Sequence, residues 1–250
     1  DLDDRVHDGR RGAPGQAVVP GDDSDPALIT VTNTFDLGEL SVAKVVDGAG
    51  AQYGTGPFEV SLGCTFQGEP IDIPGGPARA IGPGETVTYT ELPVGARCVV
   101  SETDAAGATS TTISRTVILA GPGTTVVPAD DAEPVLITVT NTYDLGALVV
   151  DKVVTGEGAD LYGTGPFQVT LTCTFRDEPV DVPGGATRTL VPGSPATYDQ
   201  LPVGARCVVT EPGTGGATST TVSTVDDGAP GVVTVAGDPQ SLTVTNTFDV

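Results

Sequence analysis

The feature that most constrains the fold is an internal repeat with an interval of about 108 residues. Its motifs are Tyr-Gly-Thr-Gly-Pro-Phe at 53–58 and 162–167, Leu-Pro-Val-Gly-Ala-Arg-Cys at 92–98 and 201–207, and Thr-Val-Thr-Asn-Thr-(Phe/Tyr)-Asp around Asn33, Asn141 and Asn246. Self-similarity at a fixed interval indicates repeated structural units. We therefore predict an irregular N-terminal segment, the orphan last strand of a preceding repeat and two complete repeats, over 1–26, 27–36, 37–144 and 145–250.

Within each repeat, apolar and polar residues alternate, which is the period of a half-buried strand. The 34 Gly and 21 Pro favour short strands with tight turns over long helices. In the first repeat we predict strands over 39–46, 57–66, 85–91, 96–102, 109–118 and 135–142. In the second we predict them over 147–154, 166–175, 195–199, 205–211, 217–224, 231–236 and 240–247. Six or seven short strands in a unit of this size are typical of an immunoglobulin-like β-sandwich.

Two residue types are confined to a few positions of the repeat. The chain has two lysines, Lys44 and Lys152, at equivalent positions, although it has nine arginines. Its three asparagines all lie in the repeated Thr-Asn-Thr motif. Such restriction indicates a specific role for Lys and Asn in each repeat.

The alternation of side chains along a strand predicts that these residues point inward. Each complete repeat has one such lysine, one such asparagine and one glutamate. Each of the three shares the face of its own strand with Val, Leu or Ile. The residues concerned are Lys44, Asn141 and Glu102 in the first repeat, and Lys152, Asn246 and Glu211 in the second. A buried charge costs several kcal/mol unless it is paired or neutralised.

A covalent bond between the lysine and the asparagine would remove this cost. Desolvation lowers the pKa of a lysine and raises that of a carboxylic acid, so both tend toward neutral forms. A neutral amine is a nucleophile, and a nearby carboxylic acid can polarise an amide and pass protons to the leaving ammonia. We expect Lys44 to attack Asn141 with the help of Glu102. Lys152, Asn246 and Glu211 would react in the same way.

This pattern resembles the B-type repeats of collagen adhesins and the related domains of Gram-positive pilins. The similarity lies in the order Lys on the first strand, Glu after a Leu-Pro-x-Gly turn, and Asn at the end of the last strand, and it covers both repeats. It implies tandem prealbumin-like sandwiches with intramolecular isopeptide bonds. The alternative is a buried Lys–Glu salt bridge with a hydrogen-bonded Asn and no covalent bond.

The four cysteines occupy equivalent positions in the two repeats. Three pairings are possible, but the repeat favours one bridge within each unit, Cys64 with Cys98 and Cys173 with Cys207. Metal binding is the weaker interpretation, since there is no CxxC spacing and the one histidine, His7, lies outside the repeats. Disulfides indicate an extracellular setting.

The net charge of −22 argues against a nucleic-acid partner. No apolar run approaches the roughly 20 residues of a membrane span. With no catalytic triad, we expect no enzyme activity beyond self-crosslinking, and no cofactor or metal. The sequence therefore predicts a structural module of a cell-surface or cell-wall adhesin, pilus or fibre. The alternative is a β-sandwich module that binds a carbohydrate or protein through its loops.

Asn33 has the same local sequence as the other two asparagines but no lysine of its own. Its strand is expected to be the remainder of an upstream repeat. Alternatively, it completes an unfinished sandwich in a neighbouring molecule, which would build a fibre by strand donation. The expected partners are thus neighbouring repeats of the same chain and other copies in a fibre.

Overall fold

The computed structural model describes residues 29–115, 123–129, 135–223 and 229–249. Residues 37–250 form one compact unit, and its strands build two successive β-sandwiches. The first contains a 3-10 helix (Ala51–Tyr53) and the strands β1 (Leu37–Asp47), β2 (Phe58–Phe66), β3 (Glu69–Ile71), β4 (Ala78–Ile81), β5 (Thr86–Pro93), β6 (Arg97–Asp104), β7 (Ser110–Arg115), β8 (Thr124–Val126) and β9 (Val135–Thr142).

The second sandwich repeats this order of elements. It contains a short helix, α1 (Ala159–Tyr162), and the strands β10 (Leu145–Thr155), β11 (Phe167–Phe175), β12 (Glu178–Val180), β13 (Thr187–Leu190), β14 (Ala196–Pro202), β15 (Arg206–Gly213), β16 (Ser219–Val222), β17 (Val232–Thr234) and β18 (Gln240–Thr247). The all-β, tandem-sandwich fold predicted from the sequence is confirmed.

Each sandwich consists of one sheet of four strands and one of five. In the first, the sheets have the orders β5-β1-β9-β7 and β3-β2-β6-β8, with β4 also paired to β2. In the second, they have the orders β14-β10-β18-β16 and β12-β11-β15-β17, with β13 also paired to β11. Along each strand, buried inward-facing side chains alternate with more exposed outward-facing ones, as the burial pattern of β9 shows most clearly.

The first and last strands of each sandwich are parallel neighbours. Lys44 lies opposite Val139, and Val46 opposite Asn141. The second sandwich has the same register, with Lys152 opposite Val244. Parallel pairing of strands so far apart in sequence is possible because the chain crosses to the other sheet between them.

The turn after β1 packs tightly on the end of β9. Tyr143 N donates a hydrogen bond to Asp47 O at 2.9 Å, and Gly50 N donates one to Tyr143 O at 2.8 Å. Gly48 has φ +94°, and a Cβ there would collide with the Tyr143 carbonyl oxygen. A larger residue would therefore be both strained and too close to the last strand.

The strands predicted from periodicity are present, with ends displaced by a few residues. The outer parts of two predicted strands, 116–118 and 224, lie outside the described residues. The sequence missed five strands of three or four residues, β3, β4, β8, β12 and β13. These are too short to display an alternating pattern, and two of them contain proline at their centre.

Residues 1–36 form a separate unit, of which residues 29–36 are described. These eight residues have no regular secondary structure and are exposed, including Asn33. The strand expected over 27–36 is therefore not formed in its described part, because a strand needs a hydrogen-bonding partner. The irregular segment predicted over 1–26, together with residues 27 and 28, lies outside the described residues.

The two sandwiches meet through aromatic side chains. Phe175, at the end of β11, lies edge-on to Tyr53 and Tyr143 of the first sandwich, with ring centroids 6.0 and 6.5 Å away. Val203 N also donates a hydrogen bond to Asp144 O at 3.0 Å. Edge-to-face pairs of this kind contribute about 0.5–1.5 kcal/mol beyond their area burial.

Candidate isopeptide crosslink site

Lys44 and Asn141 are brought together by the parallel pairing of β1 and β9. Each lies on the inward face of its strand, and the exposed fractions of the two residues are 1% and 0%. They are diagonal neighbours across the pair, two residues apart in register. Such neighbours lie within reach of a long side chain.

Glu102 completes this cluster from the opposite sheet. Its position on β6 follows Cys98 and Val100 on the inward face, as the alternation of the strand predicts. Glu102 Oε1 lies 3.1 Å from Lys44 Nζ, and it accepts a hydrogen bond from Asn141 Nδ2 at 3.0 Å. One carboxylate oxygen therefore contacts both the lysine nitrogen and the nitrogen of the amide.

The second sandwich holds the same three residue types, but here the glutamate contacts the lysine and accepts no hydrogen bond from the asparagine. Lys152 Nζ lies 2.9 Å from Glu211 Oε1, and both side chains have an exposed fraction of 0%. Asn246 is buried on β18, next to the strand that carries Lys152. Within the described part of the chain, Lys152 Nζ and both Glu211 oxygens have no hydrogen-bond partner beyond this ion contact. The ion contact is therefore the main compensation for these buried charges.

The surroundings of both lysines favour the neutral amine. Burial lowers the pKa of Lys44 and of Lys152, and the neighbouring Glu102 and Glu211 carboxylates offset this effect only in part. Each Nζ lies 4.5 Å from the centroid of a phenylalanine ring, Phe58 or Phe167. A ring face attracts an ammonium, so these contacts also offset the effect of burial in part.

A threonine hydroxyl, which sequence reasoning missed, also belongs to each cluster. Thr111 Oγ1 donates to Asn141 Oδ1 at 2.9 Å, and Thr220 Oγ1 donates to Asn246 Oδ1 at 2.8 Å. Both threonines lie in a recurring Ala-Thr-Ser-Thr-Thr segment, at 108–112 and 217–221. The recurrence of this segment could have indicated a role for the threonine, but many exposed strands are rich in threonine without having such a role.

The cysteines form the two disulfides expected within the repeats. Cys64 pairs with Cys98 and Cys173 with Cys207, with S–S distances of 2.01 and 1.98 Å. Each bridge joins directly opposite residues of neighbouring antiparallel strands in the five-stranded sheet. The lysine–asparagine pair lies in the four-stranded sheet, so the two links brace different layers of the sandwich.

The remaining expectations concern features outside these clusters. Asn33 is exposed and belongs to neither cluster. Among the described residues, no group of three or more His, Cys, Asp or Glu side chains is arranged to hold a metal ion. In the same part of the chain, no helix has the length and apolar character needed to cross a membrane.

Comparison with solved structures identifies the fold. The major pilin of Streptococcus pyogenes is 18% identical, with 85% of this chain and 99% of that chain covered and a TM-score of 0.50. A point mutant of the same pilin gives 17% identity, the same coverage and a TM-score of 0.51. A single B repeat unit (B1) of the collagen-binding surface protein of Staphylococcus aureus is 16% identical, with coverage of 86% and 100% and a TM-score of 0.29. The predicted resemblance to Gram-positive pilin domains is thus confirmed for the fold by the two pilin structures.

Comparison with sequence families gives one further result. A search of curated proteins found no match. The model of a domain of unknown function, DUF5979, matches residues 40–144 and 148–249, which is most of the chain. The chain belongs to the DUF5979 family and matches its domain twice.

Proposed function

We propose that this chain is a stalk or fibre module that carries tension in an extracellular adhesin or pilus, and that each repeat forms its own isopeptide bond. The bonds join Lys44 to Asn141 and Lys152 to Asn246. The observation that carries this proposal is the convergence of a buried Lys, Glu and Asn on the first and last strands and the facing sheet.

The distances suit Glu102 as the proton shuttle of the reaction. Glu102 first takes a proton from the Lys44 ammonium. The neutral amine then attacks Cγ of Asn141, a bond forms between Nζ and Cγ, and the bond from Cγ to Nδ2 breaks to release ammonia. A second proton from Nζ departs with the ammonia while the first stays on Glu102, so the product carries no buried charge.

Removal of buried charge supplies the driving force within the protein. In the second repeat, the ammonium and the carboxylate are fully buried, and the ion contact is their main compensation. An uncompensated polar group in such a site costs about 1–3 kcal/mol, and more when it is charged. An amide and a neutral acid avoid this cost.

The topology supports a mechanical role for the bond. The strands β1 and β9 are parallel neighbours. Tension applied along the chain acts on the N-terminal end of β1 and on the C-terminal end of β9. A covalent link between Lys44 and Asn141 carries that load from the first strand directly to the last. The residues between the two ends of the bond are then shielded from extension.

The disulfides and the fold support the proposed location. Disulfides persist in oxidising, extracellular compartments. The Streptococcus pyogenes protein that shares this fold is described as a major pilin. By analogy, the proposed partners are neighbouring repeats of the same chain and further copies in a fibre.

The intact mass of the fully reduced chain tests the proposal. Each isopeptide bond removes one ammonia, about 17 Da, which reduction does not restore. We expect a deficit of about 34 Da for two bonds and about half of that in Lys44→Ala. An unmodified mass would reject the crosslink and leave two buried ionic clusters.

A binding module is the second candidate, and one observation favours it. A cavity of about 560 Å³ lies at the junction of the two sandwiches, lined by Tyr53, Phe175 and Arg176 among others. Aromatic rings beside a guanidinium suit a sugar or a peptide side chain. Loss of binding to a glycan or peptide array in Arg176→Ala, with unchanged folding, would support this function.

A further inference from the structure

The hydroxyl of Thr111 contacts two groups of the first cluster. Thr111 lies on β7 directly opposite Asn141 on β9, so the two side chains share a face. Its Oγ1 lies 2.9 Å from Asn141 Oδ1 and 3.1 Å from Glu102 Oε2. In the second repeat, Thr220 lies opposite Asn246 and donates to its Oδ1 at 2.8 Å.

The rest of the hydrogen bonding fixes the orientation of the amide. Asn141 Nδ2 donates to the Ala105 carbonyl oxygen at 3.1 Å, and Asn246 Nδ2 donates to the Thr214 carbonyl oxygen at 3.0 Å. A carbonyl oxygen can only accept, so the nitrogen of the amide must face it. The amide oxygen therefore faces the threonine hydroxyl in both repeats.

We propose that the hydroxyls of Thr111 and Thr220 stabilise the negative charge that develops on the asparagine oxygen during crosslinking. This inference rests on the proposed isopeptide reaction and adds a catalytic residue to it. Attack of the amine on the amide carbon turns Oδ1 into an oxyanion. A donor already aimed at that oxygen lowers the barrier, because it needs no reorganisation when the charge appears.

The direction of the Thr111 hydrogen bond follows from the charges. A hydroxyl has a single hydrogen, so Thr111 donates to one oxygen at a time. Before the reaction, the Glu102 carboxylate and the amide oxygen compete for it. After Glu102 has taken a proton from Lys44, the carboxylate charge is gone and the charge on Oδ1 increases. The hydroxyl then donates to Oδ1 at the stage of the reaction when that oxygen carries the most negative charge.

The inference is tested by the rate of ammonia loss in the full 250-residue chain. The chain is made by cell-free synthesis under oxidising conditions, quenched in acid at intervals, reduced, and weighed by intact mass spectrometry. In Thr111→Val, repeat 2 serves as the internal control and closes at the wild-type rate. Repeat 1 is expected to close about 10²-fold more slowly, the effect of removing one oxyanion donor.

Two further variants separate chemistry from packing. Thr111→Ser keeps the hydroxyl and should close within a few-fold of the wild-type rate. Thr112→Val should have no effect, because Thr112 is exposed like Thr111 but lies opposite Thr140 and not opposite Asn141. In Thr220→Val, the slow phase should move to the second repeat, as peptide mapping would establish.

The outcomes for the two proposals are distinct. If the wild-type chain never loses ammonia, the isopeptide reaction itself is rejected. If the wild-type chain closes and Thr111→Val closes equally fast, the reaction stands and the role of the hydroxyl is overturned. If Thr111→Ser is as slow as Thr111→Val, the effect comes from packing, and the role of the hydroxyl is again overturned.

Discussion

Lys44 and Asn141 lie on neighbouring parallel strands, two residues apart in register, and both contact the same carboxylate oxygen of Glu102. The same two residues that would react are therefore on the two strands that would carry tension. The reacting groups belong to the first and last strands of the sandwich, while the proton acceptor belongs to the facing sheet. A bond can form only after both sheets have come together, so crosslinking follows folding.

Replacement of Glu102 by Gln should stop bond formation in the first repeat. Glutamine has nearly the same shape, but it cannot take a proton from Lys44. The reduced chain should then show a deficit of about 17 Da, from repeat 2 alone. In Glu211→Gln, the deficit of about 17 Da should come from repeat 1 alone. Glu69→Gln, a change at an exposed position, should keep the full deficit. A full deficit in Glu102→Gln would contradict its role as proton shuttle.

Bond formation should depend on pH in the way expected for a buried lysine. The ordinary lysine pKa is 10.5, and burial lowers the pKa of Lys44. Only the unprotonated amine attacks. It forms by proton transfer to Glu102 at any pH and by loss of the proton to solvent as the pH rises, so below the lowered pKa the rate falls toward that of the transfer alone. The rate should therefore rise with pH and level off below pH 10.5, as time-resolved mass spectrometry would measure. A rate that still climbs steeply with pH up to 10.5 would exclude a lowered pKa.

Single-molecule stretching should distinguish the two covalent links. The crosslinked first repeat should not lengthen, because load passes from β1 to β9 through the bond. In Lys44→Ala under reducing conditions, the roughly 100 residues between positions 44 and 141 should add about 300 Å of length. With the disulfide intact, this gain should be about 100 Å smaller, because the 34-residue loop from Cys64 to Cys98 stays closed. Equal extension of wild type and Lys44→Ala would refute the mechanical role.

Loss of one disulfide should lower the stability of its own repeat. Chain-entropy arguments assign a loop of this length about 4 kcal/mol. We expect Cys64→Ala/Cys98→Ala to lower the free energy of unfolding of repeat 1 by that amount in guanidinium chloride titrations. Cys173→Ala/Cys207→Ala is the matched control and should act on repeat 2. A loss below about 1 kcal/mol would contradict the entropic account.

Removal of the Phe175 ring should loosen the junction of the sandwiches. This ring contacts both Tyr53 and Tyr143 of the first sandwich. In Phe175→Ala, residual dipolar couplings should report a broader distribution of inter-repeat orientations. Phe66→Ala, at the equivalent position of repeat 1, is the control and should leave the orientation unchanged. Identical couplings in wild type and Phe175→Ala would mean that the linker alone sets the geometry.

Much of the candidate site was predictable from the sequence. Alternation placed Lys44, Glu102 and Asn141 on inward faces, because a strand turns successive side chains to opposite sides regardless of its partners. The repeat also favoured the disulfide within each unit. These properties are local or depend on internal symmetry, and reading them requires no knowledge of which strands are neighbours.

Other features were decided by the tertiary structure. The parallel pairing of β1 with β9, the short outer strands and the Thr111 hydroxyl all depend on which strands lie side by side. Strand order is set by the burial of the sheet faces and by the closure of long loops, and both are properties of the whole chain. The orphan motif at Asn33 shows that local sequence alone does not decide whether a strand forms. Its sequence matches β9 and β18, but its described residues form no strand. The sequence by itself determined which side chains would be buried, and the packing of the two sheets decided which of them would meet.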